Sequence, residues 1–220
     1  MQALEQTDPF QPRERHLVVV SGGTSEGSTS TMLAQDLAAA TTDGLSALGI
    51  VPRVNVIELR SLASDAAAAA TTLARTPELD EAVKSVESAD GIIAVSPTYQ
   101  ASYSGIFKMF WDLVDPDLIK GVPFLLGATG GTARHSLVID QAMRPLFSYL
   151  KALVAPTSVF AATEDWGDGD TNGLNDRIGR AGREFADLLA ANEPRRQENT
   201  AGDSEPLTVT PFAQLLGNHD

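Results

Sequence analysis

Cysteine is absent from this chain, which removes disulfides, thiolate catalysis and cysteine-ligated metal together and leaves the redox compartment undecided. Histidine is almost as scarce. His16, His135 and His219 lie far apart in the sequence and do not form a metal-ligand spacing. Basic residues are outnumbered, with 16 Lys and Arg against 29 Asp and Glu for a formal net charge of −13. That balance argues against nucleic acid, whose phosphates need clustered cations, and against docking on anionic lipid. It leaves room for one small phosphate held by backbone amides. No apolar run reaches the roughly 20 residues needed to cross a membrane, and the opening MQALEQTDPFQPRERH lacks the apolar centre of a signal peptide. A cytoplasmic protein with no membrane contact is the expectation.

What is present suits one α/β domain with a substantial core: 220 residues, 43% of them hydrophobic. Residues 1–15 are polar with two prolines and read as a flexible tail. From 16 to 191, short β-branched runs alternate with helical stretches. The expected strands are His16–Val20, Arg53–Leu59, Gly91–Val95, Val122–Ala128, and either Leu153-Val154 or, preferred, Ser158–Ala162. Expected helices cover Met32–Leu48, Ser61–Arg75, Thr76–Ala89 (opened by Thr76-Pro77 as N-cap and first turn), Ser104–Val114, Leu137–Leu150 with a kink at Pro145, and Leu174–Ala191. Residues 192–220 form a polar linker and an apolar segment, Leu207 to Leu216, expected to pack on the domain or on a neighbouring subunit.

Three loops at strand ends carry the chemistry. The first, Ser21-Gly22-Gly23-Thr24-Ser25-Glu26-Gly27-Ser28-Thr29-Ser30-Thr31, precedes a helix start and holds three glycines and seven hydroxyls. Glycines let several amides converge, and a helix N-terminus attracts an anion. It matches neither the Walker pattern nor GxGxxG. Simple capping by Ser28 needs one hydroxyl, so a phosphate site is favoured. The second loop, Ser96-Pro97-Thr98-Tyr99-Gln100-Ala101-Ser102-Tyr103-Ser104-Gly105, offers aromatic and backbone groups suited to a flat, partly polar ring. The third, Thr129-Gly130-Gly131-Thr132-Ala133-Arg134-His135-Ser136, is of the same kind. Strands alternating with helices imply a doubly wound five-stranded parallel sheet of flavodoxin-like order 2-1-3-4-5. A mononucleotide then belongs in the crevice between strands one and three, and the pattern of residues points to a flavin mononucleotide.

The motifs PTYxASYSGxxK, ATGGTxxHSL and DxxMRPLF resemble those of the NADPH-dependent FMN reductase family of the flavodoxin-like superfamily. The likeness spans Leu17 to Phe160 and is nearest to reductases that serve luciferase-like, two-component monooxygenases, the alkanesulfonate-associated type among them. It implies that Ser21, Gly23, Ser28, Ser30 and Thr31 surround the FMN phosphate. Pro97, Thr98, Tyr99, Gln100 and Ser102 would line the isoalloxazine ring, and Thr129, Gly130, Gly131 and Thr132 would close its polar edge, with His135 holding that loop. It also implies no catalytic residue, since hydride passes directly from NADPH or NADH to flavin N5. A partner monooxygenase and a homodimer or homotetramer are implied as well.

Two departures narrow what carries over. Many family members have an arginine in the first loop, where this chain has Thr24-Ser25-Glu26, and the alkanesulfonate-associated reductases have an aromatic where Gln141 stands. Arg134 and Arg144 could meet nucleotide phosphates or form surface salt bridges. Phe110 and Trp111 are expected in the core or at an interface rather than against the flavin, and Tyr99 and Tyr103 at the site. Rival readings are an FMN-bound quinone, azo or chromate reductase, and a flavodoxin-like electron carrier or flavin-binding module.

Overall fold

Residue alternation along the strands decides how this chain is layered. The computed structural model describes residues 13–166 and 173–195; the tail up to residue 12 and the apolar segment Leu207 to Leu216 lie outside them. In order, the elements are β1 (Arg13–Ser21), α1 (Thr29–Ala47), β2 (Ile50–Glu58), α2 (Ala63–Thr72), α3 (Pro77–Glu87), β3 (Gly91–Tyr99), β4 (Ser102–Tyr103), α4 (Gly105–Trp111), β5 (Pro123–Gly130), α5 (Arg144–Tyr149), β6 (Leu153–Val154), β7 (Val159–Ala162) and α6 (Leu174–Ala191). The sheet runs β2-β1-β3-β5, with β6 and β7 both alongside β5; every pairing is parallel except the short β3–β4 hairpin. With β6 and β7 taken as one interrupted strand, this is the flavodoxin-like order expected.

Val18, Val20, Ile92, Ala94, Phe124 and Leu126 face one side and join α2, α3, α4 and α5 in a single core. Their neighbours Leu17, Val19, Ile93, Val95 and Leu125 face the other side, under α1 and α6. Successive side chains of a strand point to opposite faces, so the unbroken apolar runs of β1, β3 and β5 require cover on both. The first core is centred on Trp111, whose ring lies 5.0 to 5.8 Å from those of Phe107, Phe110, Phe124 and Phe147. In the second, α1 and α6 touch backbone to backbone. A Cβ at Gly182 would stand 2.5 Å from Ala40 Cβ and 2.7 Å from its carbonyl carbon, and one at Gly44 would stand 2.7 Å from Ala186 Cβ. A glycine inside a helix costs about 1 kcal/mol relative to alanine; here it buys the close approach.

Several elements differ from the expectation. β1 starts at Arg13, inside the stretch assigned to the tail. Arg15 is buried, and its guanidinium donates to the carbonyls of Leu189 (3.1 Å) and Asn192 (2.7 Å) at the end of α6. β3 does not stop at Ser96-Pro97 but continues to Tyr99. Val95 O accepts from Gly22 N at 2.7 Å, so residues of the same parity turn toward β1. β1 pairs only as far as Ser21 opposite Val95, and the N–H that Pro97 lacks would have met no strand there. Both candidates for the fifth strand are used, since Leu153 and Val154 pair with Pro123 and Phe124, and Val159 resumes opposite Gly127. Residues 155–158 therefore face only Leu125 and Leu126. Carbonyls displaced by this excess are taken by Arg144, which donates to Ala155 O (2.9 Å), Pro156 O (2.7 Å) and Ser158 Oγ (2.8 Å). The helix expected from Ser104 to Val114 is shorter, and the one expected from Leu137 is broken into a π-helical turn, Ile139–Met143, followed by α5. Pro145 sits in the first turn of α5, where its missing N–H costs least.

Candidate functional site

The loops after β1, β3 and β5 meet at the carboxyl end of the sheet, where β1 and β3 diverge toward helices on opposite faces. The loop after β1 is built around a helix start. Ser28 is the N-cap of α1, its Oγ accepting from Ser30 N at 3.2 Å. A first helical turn leaves further amides without carbonyl partners, and those of Thr29 and Thr31 border the same loop. Gly23 is buried against them; a Cβ there would stand 2.4 Å from Ser28 Oγ and 3.2 Å from Thr31 Oγ1. Only a residue without a side chain lets Ser28 and Thr31 approach the backbone this closely.

The hydroxyls expected to surround one anion divide into two groups. Ser21 Oγ is hydrogen-bonded to Thr31 Oγ1 at 2.9 Å and accepts from Gly23 N at 3.3 Å. Ser30 Oγ is fully buried and bonded to Thr129 Oγ1 at 2.7 Å. Ser21, Ser30 and Thr129 thus fasten the loop and the end of β5 from within. The groups left toward the crevice are Ser28, Thr31 and the first-turn amides, beside the Gly23 backbone whose N–H is held by Ser21. Glu26 is exposed and is the loop's one charged side chain, so any anion here relies on amides, hydroxyls and the helix dipole.

The loop after β3 is a two-residue hairpin in which Thr98 lies opposite Tyr103 and Tyr99 opposite Ser102. Its linking residues, Gln100 (φ 48°) and Ala101 (φ 64°), both have left-handed backbones, which hairpins of this length require and which usually select Asn or Gly. Ser96 Oγ accepts from Ser104 N at 2.9 Å and anchors the return of the loop. Pro97 is buried, and Thr98 Oγ1 is shielded from water with no hydrogen-bond partner among the described residues. Tyr99 stands at the rim, 49% exposed, with its hydroxyl 2.7 Å from Thr24 Oγ1. Tyr103 turns the other way and packs on Phe107 at 5.8 Å.

After β5, Gly130 lies against Phe160, whose Cζ a Cβ would approach to 2.9 Å, while Gly131 and Thr132 are exposed. His135 bonds Thr132 O through its backbone amide at 3.2 Å. Its imidazole makes no hydrogen bond among the described residues, so the loop is held by its backbone and by Gly130 packing. Arg144 is committed to the β6–β7 excess and to Asp140 at 2.7 Å. Arg134, beside the site, is exposed and has no ion-pair partner among the described residues. Trp111 and Phe110 are core residues. No group of three or more His, Asp or Glu among the described residues is arranged to hold a metal ion.

The close-packed glycine turn before α1, the helix amides and the orphaned Thr98 hydroxyl fit a phosphate joined to a flat ring with polar edges. Sequence reading missed Thr24 as a partner of Tyr99, because the two are 75 residues apart. A family model described as NADPH-dependent FMN reductase matches residues 15–167. The chain is 40% identical over 163 residues to an FMN reductase (NADPH) of Pseudomonas aeruginosa, covering 73% of this chain and 81% of that protein. It is 35% identical over 156 residues to the NADH-dependent FMN reductase SfnF of Pseudomonas fluorescens, covering 71% and 81%. The crystal structure of an oxidoreductase from Corynebacterium diphtheriae, 42% identical, superposes with a TM-score of 0.78 over 82% of this chain and 100% of that one.

Proposed function

This chain belongs to the NADPH-dependent FMN reductase family, and from that premise we propose that it reduces FMN with NADPH or NADH and passes the reduced flavin to a partner monooxygenase. The convergence of the three loops on one crevice is the observation that carries the reading. In this assignment Ser28, Thr31 and the α1 amides bind the phosphate, Gly23 lets them close in, and Ser21 and Ser30 brace them from behind. Pro97, Thr98, Tyr99, Gln100 and Ser102 flank the ring, with Gly130, Gly131 and Thr132 at its polar edge and Thr129 anchoring that edge to α1. When bound, FMN supplies the chemistry, taking a hydride from the nicotinamide and a proton from solvent. The chain's contribution is to orient the two rings and limit water around them, and none of these side chains acts as acid or base.

Relatives named for NADPH and for NADH stand at similar identity, so either nucleotide is assigned. A homodimer or homotetramer in the cytoplasm completes the reading, following the family resemblance; no helix among the described residues is long and apolar enough to cross a membrane. The test is a steady-state assay crossing NADH and NADPH with FMN, FAD and menadione. Nucleotide oxidation should depend on added FMN. Absence of turnover with either nucleotide would overturn the proposal, and much faster reduction of menadione than of FMN would move it to a quinone reductase.

A further inference from the structure

Two ties join the loops after β1 and β3, and their surroundings differ. The inner tie is buried: Gly22 N donates to Val95 O at 2.7 Å, and Ser104 Oγ, on a residue 1% exposed, donates to Gly22 O at 3.0 Å. The outer tie is the 2.7 Å hydrogen bond between Thr24 Oγ1 and the Tyr99 hydroxyl, at the solvent-exposed rim. Opening a buried bond leaves desolvated groups unpaired, whereas opening an exposed one costs only the modest net worth of a single neutral hydrogen bond, since water takes up its partners. The inner tie is therefore a permanent floor, and the outer one can open and close.

Nothing else in the loop accounts for Thr24. The cap of α1 is Ser28, the hydroxyl pairs within the loop and to β5 use Ser21, Ser30, Thr31 and Thr129, and the Thr24 side chain lies outside both cores. Its partner is held in place at some expense, because the hairpin that presents Tyr99 keeps two consecutive non-glycine residues at positive φ. Strain of this kind persists where the surrounding structure fixes the geometry, and it gathers at ligand clamps.

From this we infer that Thr24 is a positioning residue acting through Tyr99: a mononucleotide between the two loops leaves only after the rim bond opens, so this bond sets how long FMN is retained. The inference rests on the FMN-reductase reading and concerns exchange of the flavin, with no part in hydride transfer.

The test uses the full chain loaded with FMN and follows recovery of flavin fluorescence after rapid dilution. Thr24→Val and Tyr99→Phe should each release FMN about two- to tenfold faster, the range that one neutral hydrogen bond spans. The double variant should be no faster than either single one, because each alone removes the same bond. Thr24→Ser, which keeps the hydroxyl, should release FMN at the wild-type rate. A Thr24→Val rate equal to wild type, effects that multiply in the double variant, or a Thr24→Ser rate as fast as Thr24→Val would each overturn the inference. Failure of the wild-type chain to take up FMN at all is a separate outcome, and it overturns the underlying reading instead.

Discussion

Ser30 shows how far residue identity alone carries. Its place in a hydroxyl-rich loop before a helix marks it as an anion ligand, yet its hydroxyl points inward to Thr129, 99 residues away. Composition locates the loop; the depth of each side chain depends on how α1 sits against β5, which no local pattern encodes. Gly23 differs: the loop's glycines are legible as a tight turn before a helix, whereas the contact that bars a side chain at Gly23, with Ser28, is seen only in the structure. Backbone sign was not legible in the hairpin, since neither Gln100 nor Ala101 is a residue that announces positive φ. That mismatch gives a residue-scale prediction. Left-handed backbone costs a non-glycine residue about 1–2 kcal/mol, and glycine returns part of that gain through unfolded-state entropy. Ala101→Gly should therefore stabilise the protein by about 0.5–1 kcal/mol, read as a higher urea midpoint at unchanged slope.

At the scale of elements, the strands and the order of the sheet were readable because buried parallel strands are continuous apolar runs. The Leu174–Ala191 helix was readable to the residue. The interruption of the fifth strand was not, because it depends on a register set by β5 and on an arginine drawn from a neighbouring helix. Arg144, which the sequence leaves equally open to nucleotide phosphates or a surface salt bridge, pairs with Asp140 and also fastens the sheet edge. The contact between α1 and α6 is equally hidden, although Gly44 and Gly182 hint at it. Backbone lies against the Gly182 position, so the helices must separate to admit a side chain. Gly182→Val should destabilise by about 3 kcal/mol, the upper end of overpacking effects, measured by urea or thermal unfolding. An unchanged midpoint would show that α6 can shift without loss.

Taken as a whole, the molecule carries its excess of acid on a domain whose candidate site has almost no charge of its own, and its pH response comes from elsewhere. Glu87, half-buried at the end of α3, has its pKa raised chiefly by burial. The bond that Asp115 N donates to it at 3.1 Å and nearby Arg75 pull the other way, while Asp115 and Asp80 add to the rise. The folded state then holds this proton more tightly than the unfolded chain does. Stability linked to Glu87 is present below an ordinary glutamate's pKa and declines as pH climbs through the raised folded value. Glu87→Gln should gain on wild type as pH rises through that window, read from paired urea midpoints; a constant difference across the window would contradict it. Glu14, lowered by its partner Arg53, slopes the opposite way, is remote from Glu87 and common to both proteins, so it cancels in the comparison.

The pairing of α1 with α6, sealed by Arg15 reaching Leu189 across 174 positions of sequence, bears on how the chain is made. A ribosome delivers β1, β3 and β5 long before it delivers the helix that roofs half of one face of their sheet. Until then Leu17, Ile93 and Leu125 line an open apolar trough beside α1, a surface that chaperones bind and that sticks to its like. Synthesis must therefore run nearly to the end of the domain before any of the early strands is safely enclosed.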